Sequence, residues 1–120
     1  MRITHLEPGE IFVFGSNAAG MHGAGAARQA YDDFGAVWGQ GSGLHGSSYA
    51  IDTMSGLPTI AAEVMRFLQF ATEHPELRFL VTEIGCGIAG YRPEQIAPLF
   101  AGSPVNVVLP ERFVTVLAGA

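Results

Sequence analysis

The chain has 120 residues, a mass of 12.7 kDa, 48% hydrophobic residues, 14% charged residues and a net charge of −5. At this mass folding buries about two-thirds of the surface, which fits one compact domain over residues 1–120 and excludes intrinsic disorder. The six cationic side chains are scattered arginines and no lysine is present, so the clustered charge of a polyanion binder is missing and nucleic acid is not an expected partner.

From Glu10 to Ser16 the run EIFVFGS is continuously apolar and β-rich, which predicts a buried strand. Ala27, Ala30, Tyr31 and Phe34 then fall on one helical face opposite Arg28, Gln29, Asp32 and Asp33, with Gly35 placed to end the helix. A glycine-studded segment from Trp38 to Ser48 leads into the short strand YAID, Tyr49 to Asp52. Pro58 opens a longer helix through Ile60, Val64, Phe67, Leu68 and Ala71, which His74 and Pro75 end. Arg78 to Ile84 predicts the next strand, GCGIAGY its exit loop, and Pro93-Glu94 the start of a short helix to about Phe100. The last apolar runs, Val105 to Leu109 and Phe113 to Leu117, read as two further short strands. No apolar run approaches a membrane span and no signal peptide is evident, so a cytoplasmic protein without membrane contact is expected. The single Cys86 excludes an intramolecular disulfide.

Alternating strands and helices predict an α/β domain with a mostly parallel mixed sheet flanked by helices, whose ligand crevice lies beyond the carboxyl ends of the strands. Twelve of the 16 glycines concentrate there, in the stretch Gly15 to Gly46 and in Gly85, Gly87 and Gly90. A glycine loop running into a helix N-terminus offers free N–H groups and lets phosphate approach the backbone. Two such loops at one crevice suggest a pyrophosphate or a nucleotide; tight turns without a ligand are the plainer alternative. Two literal G-x-G-x-x-G matches occur. Gly41 to Gly46 follows no strand and precedes one, which is the wrong context for dinucleotide binding. Gly85 to Gly90 does follow a strand, with Glu111 about 20 residues further on at the end of the next strand, so an NAD-dependent Rossmann-type enzyme is a rival. A Walker-type phosphate loop is excluded by the lack of lysine.

The segment FGSNAAGMHGAGAARQAYDDFGA, Phe14 to Ala36, resembles the macrodomain pattern in which a buried strand ends in Asn-Ala-Ala and a glycine loop enters a helix. IGCGIAGYRPEQIAPLF, Ile84 to Phe100, is similar to the second macrodomain signature, and the resemblance extends over roughly Glu10 to Leu109. It is nearest to small phage-associated macrodomain-like proteins. The resemblance implies a three-layer fold and a site for ADP-ribose or an ADP-ribosylated molecule, with no cofactor. By position Asn17 would face the distal ribose, within a first-loop set of Gly15, Ser16, Asn17, Ala18, Gly20, His22, Gly23 and Gly25. Gly85, Cys86, Gly87, Ile88, Ala89 and Gly90 would offer amides to the phosphates, and Tyr91 would wall the distal ribose.

Departures from the family bear on chemistry. One hydrolase branch has a second asparagine after Asn-Ala-Ala and an acid at the helix entrance, where this chain has Gly20 and Ala27. The branch with GCG uses a lysine and an acid two residues after the second glycine, where this chain has Ala89. The adenine-recognising aspartate has no clear counterpart, Glu7 and Glu10 being the nearest substitutes.

If the chain hydrolyses, as an ADP-ribosyl glycohydrolase, Asn17 and Glu83 are the catalytic candidates, Glu83 as the acid nearest the crevice, and an exposed strand carboxylate is the plainer reading of Glu83. Asp52 could bind a ribose hydroxyl or form a turn with Thr53. His22 and His45 could touch phosphate, but with Cys86 they show no zinc-ligand spacing, so no metal is expected. Cys86 sits where a helix N-terminus could lower its pKa, though with no adjacent base it reads as a small loop residue. Trp38 and Phe34 are candidates for stacking on adenine, although aromatics beside a helix end are more often core. The sequence leaves binding and hydrolysis both open, beside a phage structural or partner-binding protein with a vestigial pocket.

Overall fold

The central strand decides the architecture. In the computed structural model, which describes residues 3–119 and so leaves residues 1, 2 and 120 of the expected domain outside the description, β1 (Glu10–Ser16) pairs in parallel with both neighbours, β3 (Ser48–Asp52) and β4 (Arg78–Val81). The sheet has five strands in the order β2-β3-β1-β4-β5; β2 (Gly43–His45) runs antiparallel on one edge and β5 (Val107–Val108) runs parallel on the other. Side chains of a strand alternate between faces, so the unbroken apolar run of β1 means burial on both.

Ile11 and Val13 face one core, with Tyr49 and Ile51 of β3 and Phe79 and Val81 of β4. Against them packs α2 (Leu57–Glu73), through Ile60, Val64, Phe67 and Ala71 at helical spacing. Phe12 and Phe14 face the opposite core, with Ala27, Ala30 and Phe34 of α1 (Gly25–Asp33) and its exit. Helices therefore lie on both faces. The first core is extended by α3 (Pro93–Ile96), a 3-10 turn at Ala97–Phe100 and α4 (Glu111–Ala118), which bring in Ile96, Ala97, Phe100 and Phe113. No helix among the described residues is long and apolar enough to cross a membrane.

The carboxyl-terminal end differs from the sequence-based expectation. Phe113 to Leu117 is helical, not a strand: Phe113, Val116 and Leu117 recur at i, i+3 and i+4 and pack on the core, while Val114 and Thr115 are exposed. Pro110 stands at the N-cap and Glu111 in the first turn, where a carboxylate complements the helix dipole. The run Val105 to Leu109 pairs over only two residues, joined to β4 also through the Asn106 carbonyl, which accepts from the Phe79 N–H at 2.8 Å. The side-chain nitrogen of Asn106 lies 3.0–3.1 Å from the carbonyls of Ala71, His74 and Leu77, so its two hydrogens, shared among three acceptors, tie the end of α2 to the turn into β4. Similarly, β4 stops at Val81 and not at Ile84, since Ile84 donates back to the Thr82 carbonyl at 2.7 Å and turns its side chain into the core.

Replacing Asn106 by Ala should remove this tie, while the Ala71 and His74 carbonyls keep the N–H groups of His74 and Leu77, and lower the unfolding free energy by about 0.5–1.5 kcal/mol. Urea denaturation measures it, and an unchanged midpoint would remove Asn106 from the account.

Candidate functional site

Because β1, β3 and β4 run the same way, the segments leaving all three emerge at one edge of the sheet. There they enclose a cleft of about 680 Å³. The first loop contributes Gly15, Ser16, Asn17, Met21, Gly23 and the start of α1; the segment after β3 contributes Thr53 and Met54; the segment after β4 contributes Thr82 to Ala89; Trp38 completes the wall. Of the residues expected from the sequence, Gly15, Ser16, Asn17, Gly23, Gly25, Glu83, Gly85, Cys86, Gly87, Ile88 and Ala89 come together here, and Ala18, Gly20, His22, Asp52, Gly90 and Tyr91 lie outside the lining.

Each exclusion has a physical reason. Gly20 is used for packing: a Cβ there would run into the backbone of Gly39 and Gln40, and the Gly39 N–H donates to the Gly20 carbonyl at 2.9 Å. A Cβ on Gly41 would collide with the Asn17 carbonyl. The third glycine-rich segment is thus the backing on which the first loop lies. Asp52 forms the turn after β3, accepting from the Met54 N–H at 3.0 Å and the Ser55 hydroxyl at 2.5 Å. Tyr91 packs on the rim of the core, and the Gly90 N–H closes a turn onto the Gly87 carbonyl at 3.0 Å. Ala18 is exposed in the first loop.

His22 is the largest correction. It is fully buried, with Nε2 2.9 Å from the Val37 carbonyl and Nδ1 3.1 Å from the Ser16 hydroxyl. A carbonyl only accepts, so Nε2 carries the hydrogen and Nδ1 accepts from Ser16. The ring ties the end of β1 to the segment that carries Trp38, and cannot reach a phosphate.

The same inward commitment holds for the other polar side chains of the cleft. Thr53 donates to the Ser16 carbonyl at 3.2 Å and Thr82 to the Val13 carbonyl at 2.8 Å. Asn17 clamps its own loop, Nδ2 donating to the Met21 carbonyl at 3.0 Å while Oδ1 accepts from the Met21 N–H at 2.9 Å. One N–H of Asn17 is left over. Glu83, the sole carboxylate of the lining, is bridged to Arg112 of α4 at 3.1 Å.

What the cleft presents is backbone. α1 has no side-chain cap, and its first turn, Gly25 to Ala27, lines the cleft with the N–H groups that a helix leaves unpaired. In the second loop the N–H groups of Cys86, Gly90 and Tyr91 bond within the loop. Those of Gly87, Ile88 and Ala89 have no protein acceptor among the described residues. The glycines at both loops are informative here. Gly23 and Gly87 alone among the 16 have neither a left-handed φ nor any atom within 4 Å of an added Cβ. Nothing inside the protein requires glycine at either position, and both line the cleft.

Met21, Thr53, Met54 and Thr82 were not legible as lining residues: Met21 lies in the first loop between its glycines without a role of its own in the pattern, and the other three sit just beyond β3 and β4, outside any motif. Trp38 is exposed and lines the wall, against the expectation of a core aromatic, whereas Phe34 is core, its ring centroid 4.9 Å from that of Phe12. Glu111, expected at a strand end near the second loop, stands on α4 and lines a neighbouring groove instead. Glu7 and Glu10 lie at the opposite end of β1, roughly 20 Å along the strand from the cleft. Among the described residues no three His, Cys, Asp or Glu side chains are grouped to hold a metal ion.

The chain matches no protein-family model, no curated protein and no solved structure.

Burial and the neighbouring Glu83 carboxylate push the Cys86 thiol up from its ordinary value, with Arg112 opposing, the reverse of the lowering expected from a helix N-terminus. The following helix, α3, has only four residues and supplies little dipole. The pH profile of Cys86 alkylation should therefore have its midpoint above the ordinary thiol value. Glu83→Gln should move it down by removing a charge that opposes the thiolate, and Arg112→Ala should move it up. A midpoint below that of a free thiol, or one raised in Glu83→Gln, would contradict this ordering.

Proposed function

We propose that this chain binds ADP-ribose or a close NAD-derived relative, as a three-layer macrodomain-like domain whose backbone amides hold the diphosphate. The carrying observation is the pair Gly23 and Gly87, glycines without an internal reason that face one cleft from two strand-to-helix loops. A Cβ at either position would stand between ligand and backbone. The free amides of the α1 first turn and of Gly87 to Ala89 lie on the same lining, and oriented N–H groups at a helix start and a loop suit phosphate oxygens without any basic side chain. The cleft volume lies within the range of small-molecule and cofactor sites. The leftover N–H of Asn17 is available to a ribose hydroxyl.

Binding without turnover is the form of this reading that the side chains favour. A glycohydrolase needs a base within reach of a water, and Glu83, the one carboxylate in the lining, is engaged by Arg112. A Rossmann-type NAD enzyme needs an acid beside the second loop for the ribose, and Glu111 is on α4.

Calorimetric titration with ADP-ribose should give a dissociation constant in the micromolar range, about −7 to −8 kcal/mol. Gly23→Ala and Gly87→Ala should each keep the wild-type melting temperature, since space and φ permit a Cβ, and weaken binding about tenfold, or about 1.4 kcal/mol. No heat at millimolar ADP-ribose would refute the proposal, and wild-type affinity in both alanine variants would refute the role given to the two glycines. Hydrolysis of an ADP-ribosylated protein that falls in Glu83→Gln and Asn17→Ala would instead establish a glycohydrolase.

A further inference from the structure

Four large apolar side chains stand exposed around the mouth of the cleft, and each comes from a different segment. Met21 (57% exposed) belongs to the first loop, Trp38 (48%) to the glycine-rich segment, Met54 (51%) to the turn after β3 and Ile88 (82%) to the second loop. Single exposed apolar residues need no explanation, but convergence of four on one opening does. Trp38 is held from behind: its ring lies 5.5 Å from Tyr31 at 70° and 6.1 Å from His22 at 73°, and His22 is itself fixed between Ser16 and Val37. Neither neighbour is parallel to the indole, so no stacked partner covers it. The two methionines add flexible, polarizable thioethers that adapt to a flat ring.

We infer that Trp38, with Met21, Met54 and Ile88, clamps the nucleobase of the bound nucleotide by stacking and apolar contact, and that the base edge is not read by any side chain. The inference rests on the nucleotide reading above and goes beyond it in naming the base-binding element and its selectivity. The hydroxyl hydrogens of Ser16, Thr53 and Thr82 all point inward, and the Glu83 carboxylate is held by Arg112. Asn17 has both ends of its carboxamide on Met21, and the reading above gives its one leftover N–H to a ribose hydroxyl. Glu7 and Glu10, the acids considered for adenine, are at the far end of β1, where the Glu10 carboxylate accepts from the Glu7 N–H and pairs with Arg78. A base gripped by its face is accepted whatever its edge carries, because every base has a π-face. The site is therefore tolerant among purine diphosphate riboses.

Trp38 is the single tryptophan of the chain, so its emission reports the contact directly. The full chain is titrated with ADP-ribose, with its hypoxanthine and guanine analogues, and with ribose 5-diphosphate, which has no base. The three base-carrying ligands should bind within about threefold of one another and quench the emission; ribose 5-diphosphate should bind at least tenfold more weakly and leave the emission unchanged. By calorimetry Trp38→Ala should lose about tenfold or more for ADP-ribose and nothing for ribose 5-diphosphate, while Trp38→Phe keeps most of the affinity. A tenfold preference for adenine over hypoxanthine would overturn the tolerance. Wild-type ADP-ribose affinity in Trp38→Ala would overturn the clamp. Heat from ribose 5-diphosphate in either case shows that the phosphate site survives; no heat from any diphosphate would remove the underlying nucleotide reading and this inference together.

Discussion

The carboxyl end of β1 is the constraint from which the cleft follows. This strand has a parallel neighbour on each side and a core against each face, so a slip by one residue would exchange Phe12 and Phe14 with Ile11 and Val13 between two cores of different shape. At Ser16 the ladder ends with the Thr53 N–H donating to the Ser16 carbonyl at 3.0 Å. Just inside, a Cβ on Gly15 would approach the Thr53 hydroxyl to 3.0 Å and the Gly85 nitrogen to 3.6 Å. The first loop, the turn after β3 and the second loop therefore meet over one small residue. Their convergence is a property of the sheet, not of the loops.

Around that point the protein spends its side-chain hydrogen bonds on itself. Ser16, Asn17, His22, Thr53 and Thr82 hold loop to strand and strand to loop, which gives the loops fixed shapes despite their glycine content. The consequence is a cleft with rigid walls, free backbone donors on its floor and an apolar mouth. Such a surface suits a ligand that is anionic at its centre and flat and apolar at one end. A net charge of −5 and a lack of lysine are compatible with the anion site proposed above, since preorganised N–H groups can carry the positive potential that side chains do not.

The strands β1, β3 and β4 and the helices α1 and α2 were legible because their signals are local: an apolar run between glycines, or a 3.6-residue period with Pro58 at its start. The helix α4 was not, since FVTVL carries β-branched residues that fit a strand equally well, and the decisive signal, Pro110 followed by Glu111, lies just outside the run. In the site, the sequence placed the two loops at one edge but could not sort their glycines. Gly20 and Gly41 are glycine because two loops distant in sequence touch, whereas Gly23 and Gly87 touch nothing, and only a three-dimensional arrangement separates the two cases. His22 looked like a loop histidine for the same reason; its partners Ser16 and Val37 are six and fifteen residues away.

The central claim is that the anion is held by main-chain amides of two loops. Amide resonances of the uniformly labelled chain, followed by NMR during titration with ADP-ribose, test it without any substitution. Saturable shifts concentrated at Gly23 to Ala27 and Gly87 to Ala89, with little change along the groove lined by Arg78 and Arg112, are the predicted result. Absence of shifts at saturating ligand concentrations, or shifts centred on that groove, would contradict it.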